Sequence, residues 1–105
     1  MELSDILIKK IKSHLRKNIK QESCGIVYVE RGSLNYMPCI NYSSMPSSSF
    51  LIDPTLIISN DVKYIVHSHI NGGPEPSLSD VKYAESLDLP YIIYSTKEDS
   101  FYIHK

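Results

Sequence analysis

Apolar residues open the chain in a helical rhythm. Leu7, Ile11, Leu15 and Ile19 recur at four-residue spacing with Ile8 beside them, which draws one apolar stripe down a helix. Ser4 suits the N-cap and Asp5 the positive end of the helix dipole, so a helix is predicted over residues 4–20. The period then changes. "GIVYV" (Gly25–Val29) is apolar and β-branched and predicts a strand; "ERGS" is a turn, and "LNYMPCIN" (Leu34–Asn41) is its antiparallel partner. Pro38 puts that partner at a sheet edge or a bulge. "YSSMPSSS" (Tyr42–Ser49) is of low complexity and reads as a surface loop, because too little chain lies on either side to build two cores. "FLIDP" resumes extended structure, and "TLIIS" fits a short helix or a strand equally. "KYIVHSH" (Lys63–His69) is a strand with a buried start, and "INGGPEP" is loop. "SLSDVKYAESLDL" opens with a helix N-terminus pattern and carries Leu78, Val81, Tyr83, Ala84 and Leu87 at roughly helical spacing. "PYIIYST" and "SFYIHK" are two further strands joined by "KEDS". The order predicts an α/β fold: a single domain over residues 1–105, with a curved mixed sheet and helices packed against it.

Composition changes this picture little. The 105 residues suit one core, and 42% hydrophobic with 22% charged content is ordinary for a globular chain. A net charge of −1 gives no global signal for nucleic acid. Six of the eleven basic residues, Lys9, Lys10, Lys12, Arg16, Lys17 and Lys20, crowd the first helix. That is the solvated face of an amphipathic helix or a docking face for an acidic partner. Cys24 and Cys39 form neither a disulfide framework nor a CxxC site. No apolar run approaches the ~18–20 residues of a membrane span. Asp5 and the lysine pair interrupt any signal-peptide pattern, so reduced thiols and a cytoplasmic or virion-associated location are expected.

The stretch "HSHINGGPEPSLSD" (His67–Asp80) carries the chemistry. Side chains alternate on a strand, so His67 and His69 share a face while Ser68 points away. Two imidazoles so placed can share one metal ion, at ~2.0–2.1 Å for zinc. The loop that follows has two Gly and two Pro in seven residues and turns back toward a helix that starts with Ser77 and Asp80. A carboxylate there can serve as the third ligand, leaving the open position that catalytic zinc uses to activate water. Each feature alone has a structural explanation: polar residues at a strand end, and a Ser77/Asp80 capping box. Together they form one coherent donor set. Hydrolysis also needs a general base, and either Glu22 in "QESCG" or Glu75 in the loop is a candidate. Cys24 suits a small buried thiol. His14 and His104 lack metal spacing and read as surface residues, and the eight Tyr are dispersed as packing residues with wet hydroxyls. Asn71, Gly72 and Gly73 serve the turn and border any substrate groove.

These residues resemble the motif of the JAMM (MPN-plus) metallopeptidase family: an upstream Glu, then His-Ser/Thr-His, seven residues, Ser, two residues, Asp. Here they are Glu22, His67-Ser68-His69, the seven residues Ile70–Pro76, Ser77 and Asp80. "ESCGIV", "FLIDP" and "LPYIIYS" extend the likeness, over roughly Glu22 to Tyr94, to the JAMM domain of lambda K-type phage minor tail proteins. One departure is Ile70, where the family usually has Pro. The resemblance implies a cytidine-deaminase-like fold and a metal-site core over residues 22–94. It implies Zn2+ held by His67, His69 and Asp80, with Glu22 as the acid/base and Ser77 stabilising the oxyanion. The expected activity is hydrolysis of a peptide-type amide in a peptide or protein substrate. Lambda K-type proteins often continue into an NlpC-type cell-wall peptidase domain. None precedes Lys105, so phage tail proteins or a separate NlpC-type peptidase are the expected partners. The competing reading is a structural tail-assembly protein whose zinc only stabilises it. A nucleic-acid role of the RadC type has thin support at this net charge.

Overall fold

The computed structural model describes residues 2–105. Ser4 Oγ accepts from the Leu7 N–H at 3.1 Å and caps helix α1 (Asp5–Leu15). Leu7, Ile11 and Leu15 are buried as the apolar stripe requires. The helix stops at Leu15, short of the expected Lys20. Asn18 Oδ1 accepts from the N–H groups of Lys20 and Gln21, so an Asn-centred turn replaces the last helical turn, and Ile19 is left 69% exposed. His14 is not a free surface group: its Nδ1 shares a 2.6 Å hydrogen bond with the Tyr36 hydroxyl. Burial and then the charge of Lys17 pull its pKa down.

Strands β1 (Cys24–Glu30) and β2 (Ser33–Cys39) form a hairpin across Arg31 and Gly32, both at positive φ, which matches the twist of a two-residue turn. Helix α2 (Pro54–Ser59) settles the ambiguous "TLIIS" segment: Asp53 Oδ1 accepts from Thr55 N–H at 3.0 Å, and Pro54 fits the first helical turn. Strand β3 (Asp61–His69), helix α3 (Leu78–Leu87), strand β4 (Tyr91–Ser95) and strand β5 (Ser100–His104) complete the chain. The five-stranded sheet runs β2-β1-β3-β4-β5, with only the β3–β4 pair parallel. Pro38 therefore lies on an edge strand, as its missing N–H demands.

Each face of the sheet carries its own core. On one, α1 packs Leu7, Ile11 and Leu15 over Val27, Val66, Ile92 and Tyr94. On the other, Ile26, Ile65, Tyr91 and Ile93 pack with Phe50, Ile52 and Ala84. The parallel pair β3 and β4 lies inside the sheet between the two cores, and β4 is buried at every residue. Two tyrosines depart from the expectation of wet hydroxyls: Tyr91 and Tyr94 are 0% and 1% exposed, and among the described residues only Tyr94 of the two finds a partner, Asp99. Leu78 departs too, being exposed on the outer side of α3. Lys12 leaves the solvated face to pair with Asp99 Oδ1 at 2.7 Å, tying α1 to the β4–β5 turn.

Gly25 marks a close approach between β1 and β2. A Cβ there would lie 2.6 Å from the Met37 carbonyl oxygen, which is backbone and cannot swing aside. Gly25→Ala is expected to destabilise the fold by about 1–3 kcal/mol, read as a lower urea midpoint at unchanged m-value.

Candidate metal centre and its cavity

The parity of β3 sends Ile65, His67 and His69 to the face that α3 covers, and sends Val66 and Ser68 to the α1 face. Ser68 is the hidden support of the site. Its Oγ accepts from Ser23 N–H at 2.9 Å, and its own N–H donates to Ser23 O at 2.9 Å. Those bonds fix Glu22 at the mouth of β1. The Glu22 backbone is held from the other side as well, by Asn41 Nδ2 on its carbonyl and Pro46 O on its N–H. The long sequence gap between Glu22 and His67 closes to 3.5 Å between Oε1 and Nδ1.

Asp80 arrives from α3. Ser77 and Asp80 form the full capping box: Ser77 Oγ accepts from Asp80 N–H, and Asp80 Oδ2 accepts from Ser77 N–H. The cap therefore orients the carboxylate. Asp80 Oδ2 also accepts from His69 Nε2 at 2.9 Å, while Oδ1 lies 3.4 Å from His67 Nε2. Donor atoms of His67, His69 and Asp80 all fall within 4.8 Å of one another.

Two observations test whether this trio fits a metal. His67 is fully buried, stacked on Phe50 at 4.2 Å between ring centroids and edge-on to Tyr91, yet neither ring nitrogen has a hydrogen-bond partner among the described residues. A buried polar atom without a partner costs roughly 1–3 kcal/mol, and a cation beside Nε2 removes that cost. His69 Nδ1–H donates to Gly73 O at 3.0 Å, which leaves Nε2 as its ligand atom, the usual way a backbone carbonyl orients a metal-binding imidazole. Two imidazoles and a carboxylate suit zinc or a similar borderline cation. Cys24 stands opposite His67 in the ladder, but its Sγ rests against the Cys39 and Ile40 carbonyls. Burial, with Cys39 and Glu22 nearby, pushes its pKa up to about 12, so it stays a thiol.

A cavity of about 390 Å³ opens onto His69 of the trio and is lined by Glu22, Ser77 and Glu75 among others. Ser47 and Ser48 form its far wall. The serine-rich segment is thus part of the site, not merely surface loop. Asn41 organises it, its Oδ1 accepting from Ser43 and Leu51 and its Nδ2 donating to Ser49 O. Nothing in the low-complexity composition signalled this wall; the one sequence cue is the Asn that precedes it. Phe50, the shelf under His67, was likewise not visible as a site residue.

A family model described as prokaryotic homologs of the JAB domain matches residues 4–104. The chain belongs to this family. Among relatives of this JAB-domain homologue, the tail tip assembly protein K of Escherichia phage N15 is 30% identical over 95 residues. That match takes in 87% of the chain but only 39% of the phage protein's length. The JAB-type fold is shared with a Desulfitobacterium hafniense protein known from a solution structure, with a TM-score of 0.68 at 19% identity, over 95% of this chain and 78% of that one. Among the described residues, no helix is long and apolar enough to cross a membrane.

The electrostatics of the three side chains set a pH dependence. Burial alone would raise the Asp80 pKa, but the His69 hydrogen bond, the charge of His67 and the Ser77 N–H outweigh it and lower the value to about 2. Burial would lower His69, yet its bonds to Asp80 and Gly73 outweigh that and raise it above 6.5. A metal ion must displace the His69 Nε2 proton. Apparent affinity is therefore expected to fall as pH decreases, the loss beginning above pH 6.5 and not below it. Competition with a chromophoric chelator across about pH 5–8 measures this; affinity flat down to pH 6 contradicts it.

Proposed function

We propose that the chain is a zinc-dependent peptidase or isopeptidase of the JAMM type. His67 Nε2, His69 Nε2 and Asp80 hold the ion. When bound, the ion supplies Lewis-acid activation of water and of an amide carbonyl. The single observation that carries the reading is Glu22: a carboxylate 8% exposed, 3.5 Å from a trio residue, facing a cavity large enough for a peptide segment. A purely stabilising zinc site is closed by four protein ligands and needs no such neighbour, whereas three donors leave a vertex open.

Glu22 accepts the proton of the attacking water and returns it to the departing nitrogen. Its clamped backbone keeps the carboxylate from swinging away. Ser77 Oγ uses one lone pair for the Asp80 cap and shares a 3.1 Å hydrogen bond with Ser79 Oγ; with Ser79 as donor in that pair, the Ser77 hydroxyl hydrogen serves the oxyanion of the tetrahedral intermediate. Ser47 and Ser48 across the cavity offer further polar contacts to a substrate backbone.

Similarity to the tail tip assembly protein K of phage N15 supports placing this activity in or beside a virion, with tail proteins or a separate NlpC-type peptidase as partners. The same similarity favours the second reading, an assembly protein whose metal only stabilises it.

Glu22→Gln separates the two. Cleavage of a pool of synthetic peptides, read by mass spectrometry, is expected to fall by about 10²–10⁴-fold while metal content and melting temperature hold. Assembly function untouched by Glu22→Gln, with no cleavage by the native chain, supports the second reading.

A further inference from the structure

A second cavity lies on the other side of the trio. It holds about 170 Å³ and is lined by Ser49, Phe50, Leu51, Ser79, Asp80 and Tyr83. Both cavities are bounded by the same two segments. The first takes Ser47, Ser48 and Ser77, and the second takes residues that follow on each segment. His69 lines the first and Asp80 the second, and His69 Nε2 stands 2.9 Å from Asp80 Oδ2. The two cavities therefore flank one donor set.

Their chemistry differs. The first is walled by serines, Asn71 and Glu75, and its loop is fixed by Ser95 Oγ, which donates to Gly72 O at 2.6 Å. The second is walled by Phe50, Leu51 and Tyr83, with 5.7 Å between the centroids of the Phe50 and Tyr83 rings. An apolar cavity of ~150 Å³ takes a benzene ring, so the second cavity has room for one large side chain. Leu51 is 46% exposed although its backbone is held on both sides: its N–H donates to Asn41 Oδ1 at 3.0 Å, and its carbonyl accepts from Tyr42 N–H at 2.9 Å. Leu51 also borders a hollow lined by Tyr42, Ile52 and Pro54, so the apolar surface runs on from the cavity and is not a single stray residue. Continuous exposed apolar surface beside a polar site marks a place where a ligand binds.

We propose that the second cavity receives an aromatic or large aliphatic side chain of the peptide presented to the trio, carried by the residue that supplies the carbonyl of the cleaved amide. The proposal rests on the hydrolase reading for that direction. Glu22 lines the first cavity and returns the proton to the departing nitrogen, so the amine half lies on its side and the acyl half lies toward Asp80, Phe50 and Leu51. Water adds its oxygen to the carbonyl carbon as the C–N bond breaks, and the apolar residue leaves with a new carboxylate.

The test titrates the zinc-loaded native chain with two hydroxamates, those of N-acetylphenylalanine and N-acetylglycine, which chelate zinc alike and differ only in the side chain. The phenylalanine probe is expected to bind about tenfold tighter, as partial burial of a phenyl ring warrants, and to shift the backbone amides of Leu51 and Tyr83 where the glycine probe does not. Leu51→Asp should bring the affinity ratio close to one, and the milder Leu51→Ser should lower it. Ile58→Asp, at an exposed position of α2 outside the cavity, should leave the ratio unchanged. Melting temperatures check that the variants fold. Equal affinity for the two probes, or a ratio untouched by Leu51→Asp, overturns the proposal. So does a cleaved peptide pool whose apolar residues lie on the amine side of the broken bond. A side-chain preference without cleavage of any peptide upholds the cavity's role and removes the hydrolase reading. Cleavage with equal probe affinities does the reverse, and a folded chain that holds no zinc removes both.

Discussion

The structure depends on one buried imidazole. His67 is sealed between Phe50 and Tyr91 with no solvent exposure and, among the described residues, no hydrogen bond to either nitrogen. A fold selected only for stability would replace it with an apolar residue of similar size, since burying an unsatisfied polar ring is unfavourable. The surrounding elements make sense as a frame for this ring. The two-sided burial of β3 fixes its rotamer, the α3 cap sets Asp80 against its Nε2, and the Ser23–Ser68 bonds bring Glu22 to its Nδ1.

The fold achieves this by dividing labour between the sheet faces. Alternation along β3 gives the α1 face to packing and to Ser68, and the α3 face to the two histidines. Helix α3 has two tasks at its N-terminus, because the residue that completes the capping box also contacts both imidazoles. Stability and site geometry are therefore coupled at Asp80: a substitution there loses a cap and a ligand together.

Much of the centre was legible in the sequence because it is local. The period of two on a strand places His67 and His69 together, and a cap motif places Ser77 and Asp80 on one helical turn. Glu22 was named by the spacing of a known motif, not by local geometry, since it meets His67 only through the β1–β3 register. What stayed illegible is long-range. Phe50, the Asn41-organised serine wall and the Ser95 clamp on Gly72 all rest on contacts between distant segments that no local period reports. The overlong first helix has a different cause: Ile19 continued the apolar spacing, but Asn18 had already offered the backbone a competing turn.

The central claim is that two imidazoles and one carboxylate surround a single ion and leave a vertex open. X-ray absorption spectroscopy on the purified, zinc-loaded chain tests it most directly. The account predicts one zinc per chain with only nitrogen and oxygen neighbours at ~2.0–2.1 Å, two of them imidazole. Sulfur in the first coordination shell, or failure of the folded chain to hold zinc at all, would contradict it.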